Sequence, residues 1–160
     1  MTIVFKPLAA EALSEILRIQ ETAYEPRYQE SVETILSKIE YSPGTSIGAY
    51  EDGKLVGYAL AFPWGTSDNI PLNFDLADHA PIIDTLYVHD VSVDGSHRGR
   101  GIGSHIVQHL FEKAEAMDTK SLTLVAVQDA KPFWESRGFE ALYGPVEGYG
   151  SESVKMRKFL

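Results

Sequence analysis

The chain has 160 residues, 44% apolar and 23% charged, with no cysteine. That suffices for one domain with its own core, excludes disulfides, thiol catalysis and cysteine-held metal, and fits a reducing cytoplasm. A formal charge of −9, from 23 acidic and 14 basic residues, argues against nucleic acid, which needs a basic footprint. It suits a cationic substrate such as an amine, or an acidic surface that only keeps the protein soluble. No apolar run is long enough for a membrane span. Lys6 comes too late, and the apolar stretch around it is too broken, for a signal peptide. Repeats and linkers are absent, so residues 1–160 read as a single domain.

Ile3 to Pro7 reads as a first strand, with Ile3 and Phe5 on one face. A helix is expected over residues 9–24, its stripe carried by Leu13, Ile16, Leu17 and Tyr24, before Glu25-Pro26 ends it. Ser31 is placed to cap a second helix bearing Val32, Ile35, Leu36 and Ile39, which Ser42-Pro43-Gly44 stops. Residues 45–51 and 54–62 are β-type runs joined by Asp52-Gly53, a strong hairpin signal. Residues 66–81 carry Pro71 and Pro81 without a period and read as a long loop.

Residues 87–93 are dense in β-branched and aromatic types and form a central strand, with Ile82 as its earliest start; Asp94-Gly95 turns the chain. A helix over 101–117 follows, with Ile102, Ile106, Leu110 and Ala114 on one face. The apolar run 121–127 predicts a strand covered on both sides. Asp129 is placed to cap a short helix over 131–137 that Gly138 closes; strands at 139–143 and Val154–Phe159 end the chain.

The chemistry concentrates in YVHDVSVDGSHRGRGIGS, residues 87–104. Strand, basic glycine-rich loop and helix start come in that order. Gly99, Gly101 and Gly103 let the backbone N–H groups of residues 98–104 converge, and the helix adds its free N–H groups and positive dipole end. This predicts a diphosphate site. The spacing fails the dinucleotide fingerprint, because the sixth position from Gly99 is Ser104, and no Gly-Lys-Ser/Thr ending is present.

What fits is Arg-x-x-Gly-x-Gly at Arg98, Gly101 and Gly103, five residues after Val93, with Phe133-Trp134-Glu135-Ser136-Arg137-Gly138-Phe139 downstream. This resembles the acetyl-CoA loop of the GNAT superfamily of N-acetyltransferases. The resemblance implies an α/β fold with a mixed, mostly antiparallel central sheet, a splayed strand pair and helices on both faces. It implies acetyl-CoA as acyl donor. Main-chain groups of Val91, Ser92 and Val93 would hold the pantetheine arm, and the loop from Arg98 through Gly99, Arg100, Gly101, Ile102 and Gly103 to Ser104 the pyrophosphate. Phe133 and Trp134 would pack on the arm or the core.

Acetyl transfer needs a neutral amine, hence a base. His89 is the candidate; alternation puts it on the face of Val91 and Val93, and its position matches a catalytic histidine of arylalkylamine acetyltransferases. Its other reading is a hydrogen-bonded core histidine. Tyr87 stands where histone-type members carry a glutamate. Asp90 is expected on the opposite face, as a structural partner or an ammonium ligand. Asp84 and His79 read as solvated loop residues or acceptor-site lining. The family's acidic tyrosine is replaced here by Trp134, with Tyr143 and Tyr24 as substitutes, and its asparagine by Gln128 or Asp129. The reaction expected is acetylation of a small-molecule amine, with a homodimer as one assembly to test. Two alternatives stay open: a non-catalytic acyl-CoA-binding or sensing domain, and a protein or peptide N-acetyltransferase.

Overall fold

Asp52 and Gly53 both take left-handed backbone angles (φ 51° and 78°), which the tightest hairpins require, and they join two long central-sheet strands. The computed structural model describes residues 2–66, 69–70, 72 and 83–160. Its elements are β1 (Ile3–Pro7), α1 (Leu13–Ala23), α2 (Val32–Tyr41), β2 (Ile47–Glu51), β3 (Lys54–Trp64), β4 (Thr85–Val93), α3 (Ile102–Ala116), β5 (Ser121–Ala126), α4 (Lys131–Glu135), β6 (Glu140–Tyr143) and β7 (Val154–Phe159). The seven strands form one sheet in the order β1-β2-β3-β4-β5-β7-β6, antiparallel except between β4 and β5.

Each face buries its own core. On one side α3 lays Ile102, Ile106, Val107, Leu110 and Ala114 over Ala59, Ala61, Leu86 and Val88, and Trp134 of α4 joins them. Gly57 permits this approach, since a Cβ there would lie 3.1 Å from Ile106 and 3.2 Å from Ile102. On the other side α1 and α2 cover Leu55, Tyr58 and Leu60 with Ile16, Ile19, Ile35 and Ile39. The α1 stripe therefore runs through Ile19 more than Leu17, which is only partly buried. Tyr24 stands beyond the helix in extended backbone. Ser31 caps α2 as its position predicts, its hydroxyl accepting from the Thr34 N–H at 3.3 Å.

Two departures from a regular sheet flank the central strand β4. In the ladder with β3, Leu60 faces Asp90 while Ala61 faces Val88, so His89 is the extra residue of a bulge. On the other edge, β4 pairs with β5 only through Leu86, Tyr87 and Val88. The paired end is fastened by buried hydroxyls, Thr85 donating to the Ser121 carbonyl at 2.9 Å and Ser121 to Thr85 at 3.0 Å. Beyond Val88 the strands part. Most of the expected 66–81 loop, His79 included, lies outside the described residues. Among the described residues no helix is long and apolar enough to cross a membrane, and no three His, Asp or Glu side chains are grouped to hold a metal.

Candidate active site

The parting of β4 and β5 opens a cleft of about 480 Å³. Residues 88–93 form one wall, 124–128 the other, with Phe133 and Trp134 at its side and Arg98 and Gly103 at its mouth. Val91 and Val93 face the α3 side and pack on that core. Ser92 turns its hydroxyl away to Asp90, at 3.0 Å, so only its main chain is left for the cleft. Trp134 is edge-on to Phe139 and Phe133, with ring centres 5.2 and 5.0 Å apart.

At the mouth, a hollow of about 250 Å³ is lined by Val93, His97, the glycine loop, the first turn of α3 and Phe133. Gly99 (φ 80°) and Gly101 (φ 78°) are left-handed, with nothing within 4 Å of where a Cβ would stand. Gly103 is already helical, and a Cβ there would make ordinary contact with Val93 at 3.7 Å. Two glycines, not three, thus turn the chain, and the N–H groups of Ile102, Gly103 and Ser104 open α3 with no partner one turn back. The Ile102 side chain belongs to the core. These donors and the empty volume around them fit a phosphate-bearing group.

The basic side chains divide their duties. Arg100 is bound to Glu51 at 2.6 Å, and His97 lies 3.6 Å from the same carboxylate. The Arg100 hydrogen bond holds the Glu51 carboxyl below its usual range. These contacts tie the loop to the β2–β3 hairpin. Asp94 fastens its start by accepting from Arg18 at 2.8 Å and from the Ser96 N–H at 3.3 Å; the Arg18 bond holds its carboxyl low. Arg98 is exposed at the mouth. Arg137, which the sequence reading did not single out, stacks its guanidinium 3.7 Å from the Phe133 ring centre and donates to Ser104. Its position four residues after Phe133 on one helical turn was the available signal.

The bulge at His89 overturns the expected alternation. His89 and Asp90 both lie on the α1–α2 side, while Val91 and Val93 lie on the other. The imidazole Nε2 is 2.7 Å from Oε1 of Glu30, with the two side chains 3% and 5% exposed, and Nδ1 is buried with no hydrogen-bond partner among the described residues. Asp90 accepts from Tyr24 at 2.5 Å, Tyr58 at 2.7 Å and Ser92. Burial raises its carboxyl above the usual range, against the pull of the three hydroxyls. Burial likewise pushes the Tyr24 and Tyr58 phenols well up, with the Asp90 charge adding to it. His89, Asp90 and Tyr24 border both the large cleft and a narrower hollow of about 40 Å³, whose lining also includes Tyr28, Glu30, Leu72 and Tyr149. Sequence carried no signal for Glu30, which lies 59 positions from His89.

Tyr143 is not brought to the cleft. It sits half-exposed on the edge strand β6, separated from β4 by β5 and β7, and its hydroxyl accepts from Asn69. Tyr24 is the tyrosine at the cleft. Asp129 does not cap α4: the N-cap is Ala130, and Gln128 and Asp129 are both left-handed (φ 50° and 63°). The Gln128 amide instead bridges to the end of α1, accepting from the Glu25 N–H at 3.0 Å and donating to the Ala23 carbonyl at 3.2 Å. Asp84 accepts from the Thr66 N–H and hydroxyl, a loop-closing role.

The sheet thus opens between two parallel strands into a cleft long enough for an extended molecule, with unpaired backbone N–H groups at its mouth that fit a phosphate. The model of the acetyltransferase (GNAT) family matches residues 11–139. The chain belongs to that family. No curated protein sequence matches it. Among solved structures it is similar to the NatC complex bound to Gag peptide and CoA, with a TM-score of 0.77 at 17% identity over 100% of this chain and 99% of that one. The PaiA N-acetyltransferase of Thermoplasma acidophilum in complex with coenzyme A gives 0.72 at 15% identity, covering 100% of both chains. The GphF GNAT-like decarboxylase in complex with isobutyryl-CoA gives 0.80 at 13% identity, covering 98% of each. At these identities the likeness is one of fold.

Proposed function

We propose that the protein transfers an acetyl group from acetyl-CoA to the amine of a small-molecule acceptor, with His89 as general base. The observation that carries this reading is the bare Nδ1 of His89, whose ring borders both the donor cleft and the narrower hollow. Acetyl-CoA bound there supplies a thioester-activated acetyl group. The N–H groups of Ile102, Gly103 and Ser104, the turn at Gly99 and Gly101 and the charge of Arg98 hold its phosphates. Main-chain groups of Val91, Ser92 and Val93, which lack a β5 partner, hold the arm, and Phe133 and Trp134 flank it. A β4 N–H facing the gap stabilises the acyl oxygen as charge develops.

His89 takes the proton that an amine near pKa 10 must lose before it can attack. Trp134 cannot serve as an acid, and the Tyr24 hydroxyl is committed to Asp90. A leaving thiolate with a pKa near 8.5 needs no dedicated donor. The narrow hollow favours the amine end of a small molecule over a bulky chain.

Release of free CoA thiol across a panel of small amines and peptides tests this. Release with small amines is expected. Release with peptides alone would move the acceptor to a protein or peptide terminus, and binding with no release would leave an acyl-CoA-binding domain.

The donor site has a separate test. Acetyl-CoA at a hundredfold excess over its Kd is expected to add about 2.7 kcal/mol of stability, read as a rise in Tm. Gly101→Val should abolish most of that rise, because a β-branched residue is strained at φ 78° and fills the space kept for phosphate. Arg98→Ala removes one screened surface charge and should reduce the rise only partly. Equal losses in the two variants would point to a surface-charge site rather than a nest.

A further inference from the structure

Glu30 stands at the end of the segment between α1 and α2, and both helices hold it. The Gln20 side chain of α1 satisfies both of its main-chain groups, donating to the Glu30 carbonyl at 2.8 Å and accepting from the Glu30 N–H at 3.1 Å. From α2, the fully buried Lys38 ammonium lies 3.1 Å from Oε2, while Oε1 meets His89 Nε2 at 2.7 Å. A carboxylate whose other oxygen already faces an ammonium can only accept, so the imidazole proton in this contact sits on Nε2. That leaves the Nδ1 lone pair bare.

We propose that Glu30, clamped by Gln20 and Lys38, is a positioning residue that fixes the His89 tautomer with its proton on Nε2 and so presents Nδ1 as the proton acceptor. The proposal rests on His89 being the base. The proton taken up at Nδ1 gives an imidazolium whose Nε2 faces the Glu30 carboxylate directly. Among the described residues, the other titratable groups around the ring are Asp90 and Tyr87 on β4, with Tyr24, Tyr28 and Tyr149 at the hollow.

The test joins NMR to kinetics. In the wild-type protein at neutral pH, nitrogen-15 spectra of the His89 ring should show a protonated Nε2 and a bare Nδ1. An Nδ1–H tautomer, or an imidazolium, overturns the proposal. Glu30→Gln takes the carboxylate away from the buried Lys38 ammonium, so the paired variant Glu30→Gln with Lys38→Met removes both charges together. It should show mixed tautomers and a roughly 10–10²-fold fall in kcat, with KM for acetyl-CoA unchanged, since a wrong tautomer disables a catalytic histidine even where geometry survives. Wild-type kcat and pH profile in the paired variant overturn it. His89→Gln with undiminished turnover would instead remove the base reading, while the wild-type spectrum still reports whether Glu30 sets the tautomer.

Discussion

His89→Gln is expected to lower turnover at neutral pH by roughly 10²–10⁴, the usual size of a general-base effect. Glutamine is chosen because its amide reaches about as far as Nε2 and can donate to Glu30, so the buried carboxylate keeps a partner while the basic lone pair is lost. Acetyl-CoA affinity should hold, because the donor contacts assigned to β4 are main-chain. The rate should partly recover as pH rises and more of the amine is neutral without help. Turnover measured against pH, beside acetyl-CoA binding, checks this. A folded variant with the wild-type profile would make His89 a structural residue.

Asp90, beside His89 on the same face of the sheet, should contribute a stability that falls as pH rises. Its carboxyl is raised in the fold by burial. A raised group contributes stability that is full below its unfolded pKa, near 4, and is lost as pH climbs through the folded value. Asp90→Asn removes that dependence. The stability of wild type minus that of Asp90→Asn should therefore fall from pH 4 upward, at no more than about 1.4 kcal/mol per pH unit. Glu51 and Asp94 act in the opposite sense, their lowered pKa values giving stability that is lost as pH falls below 4. They cancel in the difference. Asp90→Ala should cost about 3 kcal/mol or more, since Tyr58 is fully buried and would lose its acceptor along with Tyr24. Denaturation at pH 4, 5.5 and 7 reads all of these; a difference that grows with pH would refute the assignment to Asp90.

What was legible in the chain was local. The hairpin at Asp52-Gly53, the helix over Ile102–Ala116 and the left-handed turns at Gly99 and Gly101 depend on neighbours within a few positions, where turn chemistry and periodicity speak directly. The face of His89 was not legible, because alternation holds only in an unbroken ladder. The bulge that breaks it exists through the register of β4 against β3, some thirty residues away in sequence. The Glu30–His89 contact spans 59 positions and joins a loop to a strand, so no spacing announces it. Asp129 was misread for a subtler reason: the helix begins at Lys131 as expected, but its N-cap is Ala130, and the backbone of Asp129 is left-handed.

The three-rung seam between β4 and β5 also bears on how the molecule yields to force and heat. Rungs are what make neighbouring strands open together, and here the half-sheet β1-β2-β3-β4 is laced to β5-β7-β6 at one end only. Beyond those rungs the two leaves of the sheet are joined by side chains instead, through the shared α3 core and the Gln128 bridge to Ala23 and Glu25. A donor arm laid along the free edge of β4 would act as the absent rungs and shut the book. Release of the spent donor would leave that edge of β4 without partners again.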